Sequence, residues 1–444
     1  MNRRVPLLTL VVVTALSSAG TAASMLAFPW FVLRSTGSGT STGTVAAAET
    51  VGLLCSAVLA GPLVDRLPAR SAGVAADLLT ALALGLVPLL HGTTGLPLPV
   101  LALLALLTGV FRGPADTAKQ VLAVAAMRRA GTPVERGTSA MEGARRIGLM
   151  AGAPLGGVLV AAVGPVLTLL TDGAALLLSA LLVLAFLPGE PPARSADEGS
   201  YAARLREGFV SLRADRLMCA MVGVLLVSNA LDSGLNAVLY PAYGTRVLHS
   251  SSLLGVMVTA IGAGALVGTA LHGWLGQRWP RRKVFVACFV LLGALRCVLL
   301  AQEPTPALLL GGLAVSGIGS GIVNPLMMSV AYERVPEAVR ARVFGLIVAC
   351  ALAATPLGAL AAGVLIDRLD VPSALLVFAG VYGTIALAPL MFPVWRELDA
   401  SRPDGSCPDP VGQAAGEQGA EAREAGAHGG AVRAAEGHPA KARG

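Results

Sequence analysis

The chain has 444 residues, of which 55% are hydrophobic and only 13% are charged, and its formal net charge is +7 at pH 7. So few charged residues cannot cover the surface of a water-soluble domain of this length, and lipid must cover much of the outside. The six cysteines fall mostly inside apolar runs without a Cys-x-x-Cys pair, so neither a metal site nor a disulfide framework is expected.

Apolar runs follow one another along the whole chain. The first starts like a signal peptide after Asn2, but it continues to Leu33, long enough to span about 30 Å of hydrocarbon, so we predict a retained first helix. Eleven further runs lie at residues 45–64, 72–90, 98–127, 140–163, 166–188, 217–240, 252–276, 284–301, 306–331, 343–366 and 372–394. They predict an all-α membrane protein with twelve transmembrane helices in two pseudo-symmetric sets of six.

The segment between the two sets carries an apolar stripe formed by Tyr201, Leu205, Phe209 and Leu212. The stripe predicts an amphipathic helix on the inner membrane surface, and a solvated linker helix is the alternative. The end of the chain is rich in Gly, Ala, Glu and Arg, which is typical of disorder. We expect an N-terminal bundle at 1–188, a cytoplasmic linker at 189–216, a C-terminal bundle at 217–395 and a disordered cytoplasmic tail at 396–444.

A short charged turn occurs twice, at the ends of the second and eighth apolar runs. GPLVDRLPAR runs from Gly61 to Arg70, and GWLGQRWPRR runs from Gly273 to Arg282. The identical positions are Gly61/Gly273, Leu63/Leu275, Arg66/Arg278, Pro68/Pro280 and Arg70/Arg282. A repeat of this kind in an apolar chain indicates two halves derived from one unit, as in many transporters.

Basic residues are distributed unequally between the loops. The loops on the side of the N-terminus hold most of the arginines, whereas the opposite loops hold Arg34, Arg246 and Arg368. Because positively charged loops stay in the cytoplasm, we expect both termini to be cytoplasmic.

The first copy of the turn matches the pattern G-x-L-x-D-R-x-x-x-[RK] found between helices 2 and 3 of the major facilitator superfamily. With six plus six helices and a cytoplasmic middle loop, the chain resembles this superfamily over all twelve helices. The resemblance implies alternating access, with the turn acting as a cytoplasmic latch in which Asp65 lies near the start of helix 11. The expected gating residues are Gly61, Asp65, Arg66, Arg70, Gly273, Arg278 and Arg282.

The second copy of the latch has Gln277 in place of the aspartate, so we expect the two halves to be gated unequally. An ordinary basic loop that obeys the topology rule is the alternative interpretation of both copies.

Helix 5 contains the sequence GLMAGAPLGG, which resembles the G-x-x-x-G-P-x-x-G-G pattern of proton-coupled drug exporters in the superfamily. Three of its glycines recur every fourth residue and predict a smooth ridge that another helix can approach closely. In this chain Ala153 stands at the expected proline position. The antiporter-like motif comprises Gly148, Gly152, Pro154, Gly156 and Gly157, and generic helix packing is the alternative. FPWFVLRSTGS and VPEAVRARVFGL also resemble macrolide and siderophore exporters.

Helix 4 carries Arg112, Asp116 and Lys119 at i, i+4 and i+7, which places them on one face. Charges inside a bilayer need partners or water, so we expect a charged cavity wall in which Arg112 meets an anionic group or a partner carboxylate. Asp116 lies between two cations and should stay ionised, which makes it a poor proton carrier. The alternative is a self-neutralised cluster with Lys119 reaching the cytoplasm.

Helix 7 carries Asn229, Asp232 and Asn236 near mid-depth. No cation lies within a helical turn of Asp232, so we prefer it as the proton site, with a hydrogen-bonded structural aspartate as the alternative. Helix 1 offers a second polar stripe, and the family resemblance implies that the two stripes face each other across a cavity. This second stripe consists of Ser17, Thr21 and Ser24.

Several other charged residues are expected to have local roles. Glu142 should form a capping box with Ser139 and pair with Arg145 or Arg146. The residues expected to reach the membrane surface are Glu49, Asp77, Asp172, His272 and Arg296.

No Walker sequence occurs, and the glycine clusters lie inside apolar helices, so ATP-driven transport is not expected. We predict a secondary transporter, without enzymatic activity, cofactor or nucleic-acid partner, that is a monomer in the cell membrane. It should export a small amphipathic or drug-like molecule in exchange for protons. A proton-coupled importer of a metabolite and a non-transporting sensor or scaffold are the alternatives.

Overall fold

The computed structural model describes residues 4–93, 96–187, 209–275, 279–335 and 339–400. Within these ranges only the backbone is described at 57–66, 93, 134–135, 341 and 400. The compact unit that holds the long helices ends at Leu398.

The first half consists of long helices joined by short turns. A single helical stretch, Val134–Phe186, is interrupted at Gly164, whose φ of 85° and ψ of 163° break the helix into two parts. The helices are α1 (Val5–Thr36), α2 (Gly39–Arg66), α3 (Ala69–Thr93), α4 (Leu98–Ala130), α5 (134–163) and α6 (165–186).

The second half repeats this arrangement, but two of its helices contain π-helical segments. These segments are Leu235–Leu239 within α7 and Val290–Leu295 within α9. The helices are α7 (Arg216–Gly234, continuing to Arg246), α8 (Ser251–Leu275), α9 (Arg281–Phe289, continuing to Ala301), α10 (Pro306–Arg334), α11 (Arg340–Ala353 and Thr355–Arg368) and α12 (Val371–Met391).

The helix ends follow ordinary capping rules. α1 and α4 stop at Gly37 and Gly131, whose φ angles of 68° and 63° are left-handed and favour glycine. Asp215 and Asp370 accept hydrogen bonds from backbone amides at the starts of α7 and α12. Large apolar side chains such as Leu357 and Met391 are exposed on the outside of the protein, as lipid contact requires.

In the described part of the chain, ten helices are long and apolar enough to cross a membrane. One of them, Arg136–Phe186, has 51 residues, and Gly164 divides it into two lengths that can each cross. α2 is not among the ten. The count of twelve crossings therefore stays a prediction, whereas the all-helical architecture is confirmed.

The two copies of the charged turn make equivalent contacts. Arg70 donates a hydrogen bond to the carbonyl oxygen of Leu184 at the end of α6. Arg282, its counterpart, donates from Nε to the carbonyl oxygen of Pro389 at the end of α12, at 2.8 Å. Each turn is therefore fixed to the last helix of its own half, which supports the duplication inferred from sequence.

Some expected boundaries differ from the structure. α5 begins at Val134, with Pro133 at its N-cap, so Ser139 lies inside the helix and the capping box with Glu142 is wrong. The expected pairing is confirmed, because Glu142 accepts hydrogen bonds from Arg145 and Arg146 at 2.8 Å.

The expected linker lies largely outside the described residues. Its end, 209–214, is helical, with Phe209 exposed and Leu212 buried. At the other boundary, residues 396–400 remain helical, and Leu398 is buried. The division into bundles, linker and tail stays a prediction.

Candidate functional site

A cavity of about 1050 Å³ lies between the helices. α1, α2, α4 and α5 form most of its wall, and α7 and α11 of the second half contribute the rest, through residues such as Ser233 and Thr355. Most of the wall surface is apolar, with polar groups spaced along it. A cavity of this size and composition suits an amphipathic small molecule.

The cavity opens toward the helix ends that carry the charged turns, which we call the N-terminal face. Two charged residues near the start of α5, Glu142 and Arg145, line the cavity there. Their side chains are 44% and 50% exposed. Water and solutes can therefore enter from this face.

A carboxylate clamp closes the opposite face. Asp367, near the end of α11, accepts hydrogen bonds from the Ser38 hydroxyl at 2.8 Å and from the Gly39 and Thr40 amides at 2.6 and 2.8 Å. These amides are at the start of α2, where a helix presents unpaired N–H groups and favours an anion. The clamp therefore caps a helix of the first half with a side chain of the second.

Glycines let helices of the two halves approach closely on the closed side. A Cβ atom added to Gly157 of α5 would lie 2.6 Å from the Ser251 carbonyl oxygen of α8. The Ser251 hydroxyl also donates to the Gly157 carbonyl at 3.1 Å. A Cβ atom on Gly363 of α11 would likewise meet the Gly39 carbonyl of α2. We call the α5–α8 and α2–α11 contacts, together with the clamp, the closed interface.

The other motif glycines face α1 within the first half. Cβ atoms on Gly148 and Gly152 would collide with the carbonyl oxygens of Ala15 and Ala19, and one on Gly156 would meet Ala23. The expected ridge thus has a partner helix, and α5 contacts its own half along one face and α8 along another. Pro154 lines the α8 contact, where a Cβ atom on Gly255 would lie 3.2 Å from its Cα.

Arg112 on α4 finds the partner carboxylate that the sequence predicted. Its guanidinium lies 3.2 Å from Asp172 on α6 and 3.7 Å from Glu49 on α2. The expectation that Asp172 reaches the membrane surface is wrong, since its side chain is 0% exposed. A buried carboxylate needs a cation or hydrogen bonds, and Arg112 supplies this interaction.

Lys119 does not extend to the cytoplasm. Its side chain is buried, and Nζ lies 3.0 Å from Asp77 on α3 and 3.1 Å from the hydroxyl of Ser17 on α1. Asp77 is 1% exposed and also accepts a hydrogen bond from Ser179 at 2.6 Å, so it does not reach the surface either. The alternative of a self-neutralised cluster is wrong, because both cations of α4 pair with carboxylates of other helices.

Asp116 is consequently left between two cations that are engaged elsewhere. It is exposed on the cavity wall, and among the described residues it forms no ion pair within 4.0 Å. Spacing along α4 places Arg112 and Lys119 next to Asp116, but it does not reveal partners on other helices.

Asp232 on α7 is not isolated, contrary to the premise drawn from its helical neighbours. Arg296 on α9 donates to its Oδ1 at 2.8 Å, and the Tyr382 hydroxyl on α12 donates at 2.8 Å. Arg296 is 3% exposed, so the expectation that it reaches the surface is wrong. A Cβ atom on Gly293, in the π-helical segment of α9, would collide with the Tyr382 ring, so that segment makes room for the cluster.

The remaining polar candidates divide between the cavity and the helix interiors. Ser17 and Thr21 line the cavity, whereas Ser24 is buried in the packing of α1. Asn236 lines the cavity and donates to the Asp232 carbonyl at 2.7 Å. Asn229 donates to the Leu225 carbonyl of its own helix at 2.8 Å.

The latch residues are described in part. Gly61, Asp65 and Arg66 lie in the last turns of α2, and their side chains fall outside the described residues, as does Arg278. Gly273 lies in α8, two residues before the described helix ends at Leu275. The expected contact between Asp65 and the start of helix 11 stays a prediction.

Comparison with known proteins identifies the family. Residues 10–231 and 222–417 match the Major Facilitator Superfamily model. The chain belongs to the major facilitator superfamily. Membership confirms the family and the all-helical membrane fold expected from sequence, and it makes the protein a multi-pass membrane transporter and not an enzyme.

Individual relatives within the superfamily cover nearly the whole chain. The protein is 31% identical over 421 residues to the multidrug efflux pump Tap of Mycobacterium tuberculosis (strain ATCC 25618 / H37Rv), covering 93% of this chain and 99% of that one. It is 30% identical over 408 residues to Tap of Mycolicibacterium fortuitum, covering 90% and 99%. The structure of the nucleoside transporter NupG is similar, with a TM-score of 0.73 over 88% of this chain and 98% of that one. Its 17% identity supports the fold alone.

Sequence reasoning missed four residues of the charged clusters in this major facilitator protein. These residues form contacts between helices, yet the first three were expected at the membrane surface and the last was not considered: Asp77, Asp172, Arg296 and Asp367. Their position inside or next to apolar runs was the available signal, since an ionisable group there needs a partner.

Proposed function

We propose that the protein exports small amphipathic, drug-like molecules from the cytoplasm in exchange for protons. The observation that carries this proposal is the cavity of about 1050 Å³, open at the N-terminal face and closed at the other. It is comparable to or larger than typical drug-binding pockets, which occupy about 300–1,000 Å³. A mostly apolar wall with dispersed polar groups can hold differently shaped amphipathic molecules without demanding one set of hydrogen bonds.

Similarity to Tap supports export over import. The Tap proteins are named as multidrug efflux pumps, and at 31% identity the similarity covers 93% of this chain. The sequence of α5 from Gly148 to Gly157 also resembles the drug-exporter pattern.

Basic residues of the N-terminal face support a membrane orientation. The helix ends on this face carry Arg128, Arg129, Arg281, Arg334 and Arg340. An excess of arginine at these ends favours a cytoplasmic position for the face and for both termini. With that orientation the cavity opens inward, toward cytoplasmic substrates, and the protein works as a monomer in the cell membrane.

During alternating access, one contact between the two halves would break while another forms on the opposite membrane face. The closed interface must part at the outer face, while the latch around Asp65 closes the inner face. Because the helix 8 turn has Gln277 in the aspartate position, its contribution to inner closure is weaker.

Drug accumulation tests the proposal directly. An efflux-deficient bacterium expressing the chain is loaded with ethidium, a tetracycline or a macrolide, with and without an uncoupler. Export predicts lower accumulation of at least one compound, and the uncoupler should abolish the difference. Higher accumulation that the uncoupler reverses would indicate the importer.

Asp65→Asn, expressed at the wild-type level, provides the control for transport itself. Equal accumulation in cells with the wild type, with Asp65→Asn and without the protein would favour a sensor or scaffold.

A further inference from the structure

Asp116 is a charged cavity residue whose neighbouring cations, within the described part of the chain, bind other carboxylates. We propose that Asp116 carries the exchanged proton and alternates between a neutral carboxyl group and a carboxylate during transport. The inference rests on the proposed proton-coupled export and names the residue that performs the coupling. It replaces Asp232, which the sequence favoured.

The cations on the same helix do not neutralise Asp116. The Arg112 guanidinium is 3.2 Å from Asp172, and the Lys119 ammonium is 3.0 Å from Asp77. Both of these carboxylates are at most 1% exposed, so removing their cations would leave buried charges without partners. The two pairs are therefore stable parts of the first half, and Asp116 does not compete for them.

Among the side chains that the structure describes, the surrounding helices also leave Asp116 without a cation of its own. The charged groups that act on it are Arg112, Lys119, Asp77 on α3 and Arg145 on α5. Arg145 makes two hydrogen bonds of 2.8 Å to Glu142 at the cavity mouth. Each nearby cation thus has a closer carboxylate, and a proton or a positively charged group of a bound molecule can balance Asp116.

Asp116 lies deep enough within the membrane-spanning part of α4 for its ionised form to be costly without water. It is 18 residues after the start of α4 at Leu98 and 14 before its end at Ala130, so at 1.5 Å per residue it is about 20 Å or more from either end. In the present state its side chain is exposed to the open cavity, where water can reach it. An ionised group that loses this water inside a bilayer costs several kcal/mol.

This position links protonation to the direction of opening. In the inward-open state, water and the entering molecule favour the carboxylate, which releases its proton to the cytoplasm. After the molecule leaves on the outer side, the carboxylate takes a proton from external water. The neutral carboxyl group then permits the empty cavity to close and return, and one proton enters for each cycle of Asp116.

Asp232 is held in a different environment. Arg296 and Tyr382 both donate to the same oxygen at 2.8 Å, and Arg296 is buried. Protonation of Asp232 would leave a guanidinium without its carboxylate inside the second half. Its contacts indicate a structural pair that joins α7, α9 and α12.

The test compares Asp116→Asn with wild type after purification and reconstitution into liposomes. The probe is whichever of ethidium, the tetracycline or the macrolide wild-type cells expel. A pH-sensitive dye reports the protons that the protein releases when it binds this compound. Asp116→Asn should still bind the compound and exchange it down its concentration gradient. Its rate of uptake into the liposomes under a pH gradient should fall at least tenfold, and it should release no proton on binding. Asp370→Asn, a carboxylate capping α12 on the closed side, is the matched control and should behave as wild type.

Asp116→Glu keeps the carboxyl group and should restore driven transport with a displaced pH profile. The inference would be overturned if Asp116→Asn released as many protons as wild type on binding. It would also be overturned if the pH profile of transport were the same as wild type in both variants. If Asp116→Asn does not fold, the Asp116→Glu profile decides alone: an unshifted profile rejects the assignment. Wild-type export without proton release would instead reject the proton coupling in the proposed function.

Discussion

Asp367→Asn should weaken the closed interface without disturbing either half. The carboxylate accepts three hydrogen bonds, from Ser38, Gly39 and Thr40, at 2.6–2.8 Å. A hydrogen bond to a charged group contributes about 1.5–3 kcal/mol, compared with about 0.5–1.5 kcal/mol for a neutral one. Because the amide retains one acceptor and water reaches the clamp, we expect a net loss of about 1–2 kcal/mol, or a 5- to 30-fold shift toward outer opening.

Distance measurements between spin labels at Arg34 and Gln302 can detect this shift. Both residues are exposed, one in each half. In lipid nanodiscs Asp367→Asn should increase the population with the longer distance, whereas Asp370→Asn should not. Asp370 makes the same kind of cap, accepting from the Ser373 amide at 3.0 Å, but within one half. Identical distance distributions for the two variants would refute the assignment of the clamp.

Three further predictions concern packing and ion pairs. Gly152→Ala should force α1 and α5 apart, which should lower the free energy of unfolding by about 1–3 kcal/mol and reduce efflux. Gly143 has open space around it, so the control Gly143→Ala should keep wild-type thermal stability. Asp232→Asn should lower stability by about 3 kcal/mol by leaving Arg296 buried without its carboxylate, and adding Arg296→Met should recover part of this loss in a thermal unfolding assay. Burial raises the pKa of Asp215, but hydrogen bonds from Arg334 and from the Met218 and Leu217 amides outweigh it and hold that pKa below its ordinary value. The pair therefore stabilises the fold above about pH 4 and loses its contribution as pH falls through the folded pKa. The melting temperatures of wild type and Asp215→Asn should converge in acid, and a constant difference would contradict this.

Features that repeat along the chain were predictable from sequence. The apolar runs gave the positions of the helices because a membrane helix must be continuously apolar over its length. The repeated turn indicated the duplication, and Arg70 and Arg282 make equivalent contacts with α6 and α12. The spacing of Gly148, Gly152 and Gly156 indicated a packing ridge, although it could not show that α1 is the partner.

The charged clusters were not predictable, because their members are far apart in sequence. Arg112 and Asp172 are separated by 60 residues, and Asp232 and Arg296 by 64. Helical spacing describes only the residues that share one helix, so it assigned Asp116 to cations that bind elsewhere. The π-helical segment near Asp232 also had no sequence signal, and it changes which side chains share a face.

The glycine contacts of the closed interface affect the free energy needed to part it. Gly157 and Gly363 abut peptide carbonyls of α8 and α2, with no large hydrocarbon group between them. Separation there uncovers oxygen atoms that water hydrates readily, whereas separating interlocked leucines would cost about 25 cal/mol for every Å² of apolar surface exposed. Thermal motion can therefore open these helix contacts repeatedly. A bulky residue in place of Gly157 or Gly363 would make each transport cycle slower.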